Sequence, residues 1–220
     1  MRIVLLQQSI YEQKADAAAL AQALAAPHIR FGDLMRSHLV RRTGLGARAA
    51  AVMNSGEPFP DEIATAILRD TFDSTAPAAF LLGGHPRSTT QARALDDLLH
   101  ECGAPLDGVL YLRLPEDEVE RRIRQQAARR LCRNDLTHRY EPPADPLAAG
   151  RHCTVCGGEL YQRKDDDEDV IRSRYRTHEA IVEPVARHYA DRSLLTAVEA
   201  VGTPDEVAAR AVAALGGRAS

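Results

Sequence analysis

Short apolar runs alternate with longer amphipathic stretches along most of this chain. Apolar runs bounded by polar or turn residues predict strands at 3–6, 28–30, 78–82, 109–112 and 194–198. Apolar positions at helical spacing predict helices at about 13–25, 32–42, 60–73, 88–101, 115–128, 166–190 and 204–215. Because strands and helices alternate, we predict an α/β fold, a three-layer sandwich with a five-stranded parallel sheet between helices.

One segment, residues 130–164, departs from this alternation because it has little periodicity and no long apolar face. Its cysteines have the spacing of a zinc ribbon with three thiolates and one carboxylate. The four predicted metal ligands are Cys132, Asp135, Cys153 and Cys156. His138 and His152 are the alternatives to Asp135. A structural zinc would stabilise a segment that has no core of its own.

Composition excludes several classes of protein. The chain has 220 residues, of which 45% are hydrophobic and 27% charged, as in an ordinary globular protein. A net charge of −3 gives no basic face for nucleic acid. The apolar amino terminus stops at Gln7, and no run is long enough to span a bilayer, so neither export nor a membrane partner is expected. Four cysteines do not form a disulfide framework, and we expect a cytoplasmic protein.

Candidate ligand-binding residues follow two of the predicted strands. Gly84-His85-Pro86-Arg87 comes after the buried strand at 78–82 and leads into a helix that carries Gln91. Gly32-Asp33-Leu34 and Arg36 follow the strand at 28–30 in the same way. Ligands of parallel α/β sheets bind beyond the carboxyl ends of the strands. The two segments therefore predict one binding site at that edge of the sheet.

The order and spacing of these motifs resemble bacterial adenylate kinases of the long-lid type across nearly the whole chain. The resemblance implies a P-loop-kinase-like fold with a core at 1–29, 60–128 and 165–220. It also implies a helical monophosphate-binding insertion at 30–59 and a zinc-binding lid at 129–164. By the same resemblance the protein is expected to be a monomer that acts on a nucleoside monophosphate and a second nucleotide. Whether it also requires magnesium stays open.

The resemblance also assigns roles to individual side chains. Arginines would hold the acceptor phosphate, and Gln91 would contact the acceptor base. The predicted acceptor residues are Phe31, Arg36, Glu57, Phe59, Gly84, Arg87 and Gln91. Further arginines, from the lid and the helix after it, would close over the second substrate. The predicted catalytic residues are Arg87, Arg129, Arg163, Arg174 and Lys14.

The loop after the first strand departs from the family. Family members have Gly-x-x-Gly-x-Gly-Lys-Gly-Thr there, whereas residues 7–15 of this chain contain no glycine. Glycines allow backbone N–H groups to turn toward a phosphate without Cβ clashes. Three other positions differ from the family as well. Gly83 replaces the aspartate that organises magnesium, Phe31 replaces a threonine, and His85 replaces an aromatic residue. These changes predict weak ATP-dependent phosphoryl transfer, because that reaction depends on positioning and charge stabilisation.

Several interpretations of the altered loop stay open. Lys14 takes the place of the catalytic lysine after a shift of one residue, or the loop binds a ligand other than a triphosphate. The residues of such a remodelled donor loop are Gln7, Gln8, Ser9, Tyr11 and Gln13. The sequence is thus compatible with a nucleotide phosphotransferase, with a silent sensor of AMP-like ligands, or with an enzyme for another phosphorylated substrate.

Overall fold

A computed structural model describes residues 1–8, 14–55, 59–75, 78–140 and 150–217. The chain divides into two compact units. The first contains residues 1–7, 13–113 and 180–220, and the second contains residues 8–12 and 114–179. Elements are numbered along the chain.

A parallel sheet forms the centre of the first unit. Its strands are β1 (Arg2–Gln7), β2 (His28–Arg30), β3 (Phe80–Gly83), β4 (Gly108–Arg113) and β8 (Leu195–Glu199). They lie in the order β2-β3-β1-β4-β8, and every neighbouring pair is parallel. The predicted α/β class and the five-stranded parallel sheet are therefore confirmed.

Helices surround this sheet and bury its apolar residues. They are α1 (Lys14–Ala23), α2 (Phe31–Val40), α3 (Gly44–Ser55), α4 (Asp61–Thr75), α5 (Thr89–Glu101) and α8 (Pro204–Gly216). The core packs aliphatic strand residues such as Val4 and Leu82 against helix residues such as Leu95 and Tyr189. Tyr189 lies on α7 (Glu168–Ala190), which contributes residues to both units.

Helix α3 was absent from the predicted elements. Its first turn contains Gly44 and Gly46, which argue against a helix when the sequence is taken alone. A Cβ at position 46 would lie 2.1 Å from the carbonyl oxygen of His38, so only glycine permits this close approach of α3 to α2. Tertiary packing therefore overrides the weak local propensity.

The second unit contains α6 (Glu116–Ala127), a short 3₁₀ helix (Lys164–Asp166) and a small antiparallel sheet. The sheet has the order β6-β5-β7, with β5 (Arg130–Cys132), β6 (Arg139–Tyr140) and β7 (Leu160–Tyr161). Among the residues described in this unit, its hydrophobic core consists of Cys132, Tyr140, Cys153 and Leu160. In the part of the chain that the structure describes, no helix is both long and apolar enough to cross a membrane.

Candidate functional site

Side chains of the first unit gather where β2 leads into α2 and β3 leads into α5. We call this group the acceptor cluster. Its members are Phe31, Phe59, Asp61, His85, Arg87, Ser88 and Gln91. The structure thus brings together four of the predicted acceptor residues, Phe31, Phe59, Arg87 and Gln91. It adds Asp61, Ser88 and His85, of which His85 belongs to the predicted Gly84-His85-Pro86-Arg87 motif but had no role assigned to it.

Hydrogen bonds hold the Gln91 amide in one orientation. Its Oε1 accepts a hydrogen bond from the backbone N–H of Arg87 at 2.7 Å, and its Nε2 donates to Asp61 Oδ1 at 2.7 Å. Ser88 begins α5 as its N-cap, accepting from the Gln91 N–H at 3.0 Å and donating to Asp61 Oδ2 at 3.1 Å. Because one Nε2 hydrogen remains, Gln91 can still donate a hydrogen bond to a ligand.

Aromatic rings form the apolar part of the acceptor cluster. The Phe31 ring lies 6.3 Å from the Phe59 ring in an edge-on arrangement and 5.2 Å from the His85 ring, tilted by 31°. Gly84 lies between the strand and His85 with φ of +78°, a conformation that favours glycine. Burial lowers the pKa of His85 to about 4, so this imidazole is neutral at pH 7.

Two arginines supply positive charge in the first unit. Arg87 is exposed, and its guanidinium contacts no other described residue in a hydrogen bond or ion pair. Arg36, one turn into α2, is paired with Asp33, which also binds Arg30 at 3.0 Å. The Arg36 guanidinium lowers the pKa of the Asp33 carboxyl below its ordinary value. Arg87 is therefore ready to bind an anion, whereas Arg36 would have to exchange its partner.

An aspartate at position 83, as in the family, would be crowded by the side chain of His28. A Cβ there would lie 3.0 Å from His28 Nε2, so the imidazole of His28 already fills that space. Burial, assisted by the charge of Arg30, lowers the pKa of His28. The His28 side chain, and not a carboxylate at position 83, therefore lies beside the end of β3.

Arginines of the second unit meet two consecutive carboxylates. Asp165 accepts from Arg163 at 3.2 Å and from Arg174 at 2.7 Å. Arg129 Nη1 lies 4.0 Å from Asp166 Oδ1. The three predicted donor-side arginines are thus brought close to residues 165–166. Their convergence with Arg36 and Arg87 stays a prediction.

The amide of Gln8 is committed to partners within the protein. Its Oε1 accepts from the backbone N–H of Leu114 at 2.7 Å, and its Nε2 donates to Tyr175 Oη at 2.9 Å and to Glu179 Oε2 at 3.2 Å. These hydrogen bonds satisfy a side chain that is only 3% exposed. Gln8 therefore ties the chain after β1 to α7, rather than presenting a free amide to a ligand.

Several predicted site residues lie outside the described residues. They are Ser9, Tyr11, Gln13 and Glu57. Lys14 is described only as the first residue of α1, and Gln7 as the last residue of β1.

A cluster of metal-ligating side chains lies in the second unit. One ligand atom from each of four residues lies within 4.8 Å of the others. The four residues are Cys132, His138, Cys153 and Cys156. A Cβ at position 158 would lie 2.8 Å from Cys132 Sγ, so Gly158 is required for the turn that follows Cys156. This donor set, three thiols and one imidazole, can hold a tetrahedral metal ion.

The structure places His138, rather than Asp135, beside the three thiols. His138 Nδ1 lies 3.4 Å from Cys153 Sγ. Asp135 Oδ1 accepts from the Thr137 N–H at 2.8 Å and from its hydroxyl at 2.7 Å, which turns the carboxylate away from the thiols. Its Oδ2 lies 3.6 Å from His138 Nε2. Asp135 therefore contacts the His138 imidazole through Nε2, while His152 is exposed and outside the cluster.

Hydrogen bonds also prepare one thiol for metal binding. Burial opposes ionisation of Cys153, but hydrogen bonds from the Tyr140 hydroxyl and from nearby backbone amides outweigh it and lower the pKa of Cys153 to about 6. Only a thiolate ligates metal, so this environment favours the binding form.

Comparisons with known proteins find similarity to a single family over nearly the whole chain. The model of the family described as "Adenylate kinase" matches residues 13–194, beginning at the end of the altered loop. The adenylate kinase of Streptomyces coelicolor is 42% identical over 98% of this chain and 98% of its own length. That of Acidothermus cellulolyticus is 38% identical over the same shares, and that of Archaeoglobus fulgidus is 36% identical over 86% of this chain and 85% of its own length.

Proposed function

This chain belongs to the adenylate kinase family, and on that premise we propose that it transfers a phosphoryl group from ATP to a nucleoside monophosphate. Magnesium enters as part of the magnesium–ATP substrate. The observation that carries the proposal is the acceptor cluster. In it the Gln91 amide is oriented by Asp61 and by the backbone N–H of Arg87, and the Phe31 ring packs on His85.

On the acceptor side, Arg87 would bind the phosphate of the monophosphate as a planar, bidentate donor. Arg36 would join it after release from Asp33, since a phosphate with two negative charges is a stronger partner than one carboxylate. Gln91 would donate its remaining Nε2 hydrogen to the base. The hydrogen bond from the Arg87 backbone N–H to Gln91 Oε1 links Arg87 to Gln91. The phosphate and the base would therefore be held in a fixed position relative to each other.

On the donor side, Arg129, Arg163 and Arg174 would stabilise the charge of the transferring group. Asp165 accepts from two of them in this structure and would release them to the phosphates. We propose that residues 30–59 act as the monophosphate-binding insertion and residues 129–164 as the lid. Closure of such segments excludes water from the transferring phosphoryl group and aligns the reactants.

Formation of ADP from ATP and AMP tests this function directly. Lys14→Ala should lower kcat about a hundredfold to a thousandfold if this lysine replaces the missing loop lysine, because one lost donor to the transferring group costs about 3–4 kcal/mol. Lys164→Ala is the matched control, since Lys164 is the other lysine of the chain. Coupled assays in both directions and calorimetry with each nucleotide would supply the data.

Each outcome favours a different function. ADP formation that depends on Lys14 supports the phosphotransferase with a shifted lysine. AMP binding without ATP binding or turnover would favour the silent sensor instead. Turnover that Lys14→Ala and Lys164→Ala affect equally would contradict the role of Lys14 but not the phosphotransferase.

We also propose that the metal cluster of the second unit binds zinc, with Cys132, His138, Cys153 and Cys156 as ligands. The residues present fit this metal because thiolates and imidazole are the ligands that zinc prefers. With four protein ligands no position stays open for a substrate. The zinc would therefore have a structural role.

Asp135→Asn should lower zinc affinity about tenfold to a hundredfold, because a carboxylate behind a ligating histidine orients the ring and raises its basicity. His138→Ala should lower it further, since it removes a ligand. Competition with a chromophoric chelator measures both affinities. If Asp135 were itself the fourth ligand, Asp135→Asn would weaken zinc binding more than His138→Ala, and this order would contradict the assignment.

A further inference from the structure

The imidazole of His85 has an unsatisfied nitrogen inside the acceptor cluster. His85 is 2% exposed, and its Nε2 forms no hydrogen bond with any described residue. The charge of Asp61 reaches this ring, but its two oxygens are already bonded to Gln91 and Ser88. Buried polar atoms are nearly always paired, so an orphan of this kind calls for a partner that the apo chain lacks.

The surroundings of His85 indicate where such a partner would come from. Its ring packs on Phe31, which is the first residue of α2 and is only half-buried. Phe59 packs edge-on against the same phenylalanine. Because Phe31 is only half-buried, a ligand that reaches the imidazole would have to enter past this ring. The aromatic faces favour a planar heterocycle over a phosphate.

We propose that His85 Nε2 forms a hydrogen bond with the base of the acceptor nucleoside monophosphate and thereby contributes to base selectivity. This inference rests on the proposed function. At pH 7 the ring is neutral, because burial lowers its pKa to about 4. A neutral imidazole offers one donor and one acceptor, which suits the uncharged edge of a base. Phosphate binding is left to Arg87.

The contact is tested by measuring how wild type and a His85 variant each bind AMP and two AMP analogues. His85→Phe keeps a flat ring against Phe31 and removes both nitrogens. We expect the dissociation constant of AMP to rise about tenfold, the value of one neutral hydrogen bond, while ATP affinity stays unchanged. Purine riboside 5′-monophosphate lacks the exocyclic amine, and 7-deaza-AMP lacks the N7 acceptor. At least one of them should bind the wild type about tenfold more weakly than AMP, yet bind His85→Phe as well as AMP does.

Nitrogen NMR of the unaltered protein supplies a second measurement that does not depend on a variant. With ¹⁵N-labelled histidine, the Nε2 signal of His85 should shift when AMP is added. His100, exposed at the end of α5, should keep its signals and serves as the reference. A histidine with only a packing role would show no such shift.

The outcomes separate the two proposals. If AMP binds wild type and His85→Phe equally, or if both analogues lose the same affinity on both proteins, the inference is overturned and the phosphotransferase stands. An Nε2 signal unchanged by saturating AMP has the same meaning. A wild type that binds no AMP would overturn the proposed function, and this inference with it.

Discussion

Arg87→Ala is expected to lower kcat/KM for AMP about a thousandfold, which corresponds to about 4 kcal/mol of lost transition-state stabilisation. The guanidinium of Arg87 is exposed and bound to no described residue, so its positive charge is available to a phosphate. Alanine removes that charge but keeps the backbone N–H that orients Gln91. The loss should therefore appear in phosphate recognition while the rest of the acceptor cluster stays in place.

Two further variants make this prediction specific. Arg87→Lys keeps the charge but not the planar fork, and we expect it to recover only part of the loss. Arg93→Ala removes an exposed arginine from the same helix and should leave kcat/KM within about twofold of the wild type. Steady-state rates with AMP varied at saturating ATP measure all three. Equal rates for Arg87→Ala and Arg93→Ala would show that Arg87 does not bind the acceptor.

Cys132→Ser is expected to abolish zinc binding and to lower the melting temperature by about 10 °C, equivalent to about 3–4 kcal/mol for a chain of this size. Cys132 is fully buried, and its sulfur lies 3.4 Å from Cys156 Sγ. Among the described residues, the small sheet has a core of four, two of which are cysteines of the metal cluster. Without the metal that core cannot offset the entropy of ordering its strands.

Cys102→Ser is the matched control, because Cys102 packs against the core of the first unit and takes no part in the metal cluster. Its zinc content should stay at that of the wild type, with a small change in melting temperature. Elemental analysis gives the stoichiometry, and calorimetry of the holoprotein before and after chelation gives the stability. A Cys132→Ser protein that retains its zinc would contradict the ligand assignment.

Local pattern was sufficient for most of the elements. The strands at 28–30 and 109–112 and the helix at 88–101 were predicted because apolar runs bounded by turn residues and apolar positions at helical spacing are local signals. Helix α3 was not, since its glycines serve a contact with α2 that is visible only in three dimensions. The same limit applies to Gln91, whose orientation depends on Asp61, thirty positions earlier in the chain.

In the metal cluster, too, the local sequence pattern did not determine which side chains meet, although the residues concerned are only 135–138. Ribbon spacing favours position 135 as a ligand, and Asp135 was predicted on that ground. Asp135 begins a turn in which the backbone N–H and the hydroxyl of Thr137 both donate hydrogen bonds to its carboxylate and hold that carboxylate in place. His138 then reaches the thiols instead. The backbone conformation of four residues thus decided between two chemically acceptable ligands.

By itself the sequence determined the α/β class, the parallel sheet, the order of the motifs and the presence of a thiol-rich cluster, because periodicity and spacing are carried by the chain directly. Only the tertiary structure decided which side chains are already hydrogen-bonded to, or packed against, other residues of the protein. It bound Gln8 to protein partners, placed His28 beside Gly83 and left His85 Nε2 without a hydrogen bond to any described residue. Hydrogen-bond partners and buried volume depend on residues distant in sequence, and folding alone brings those residues together.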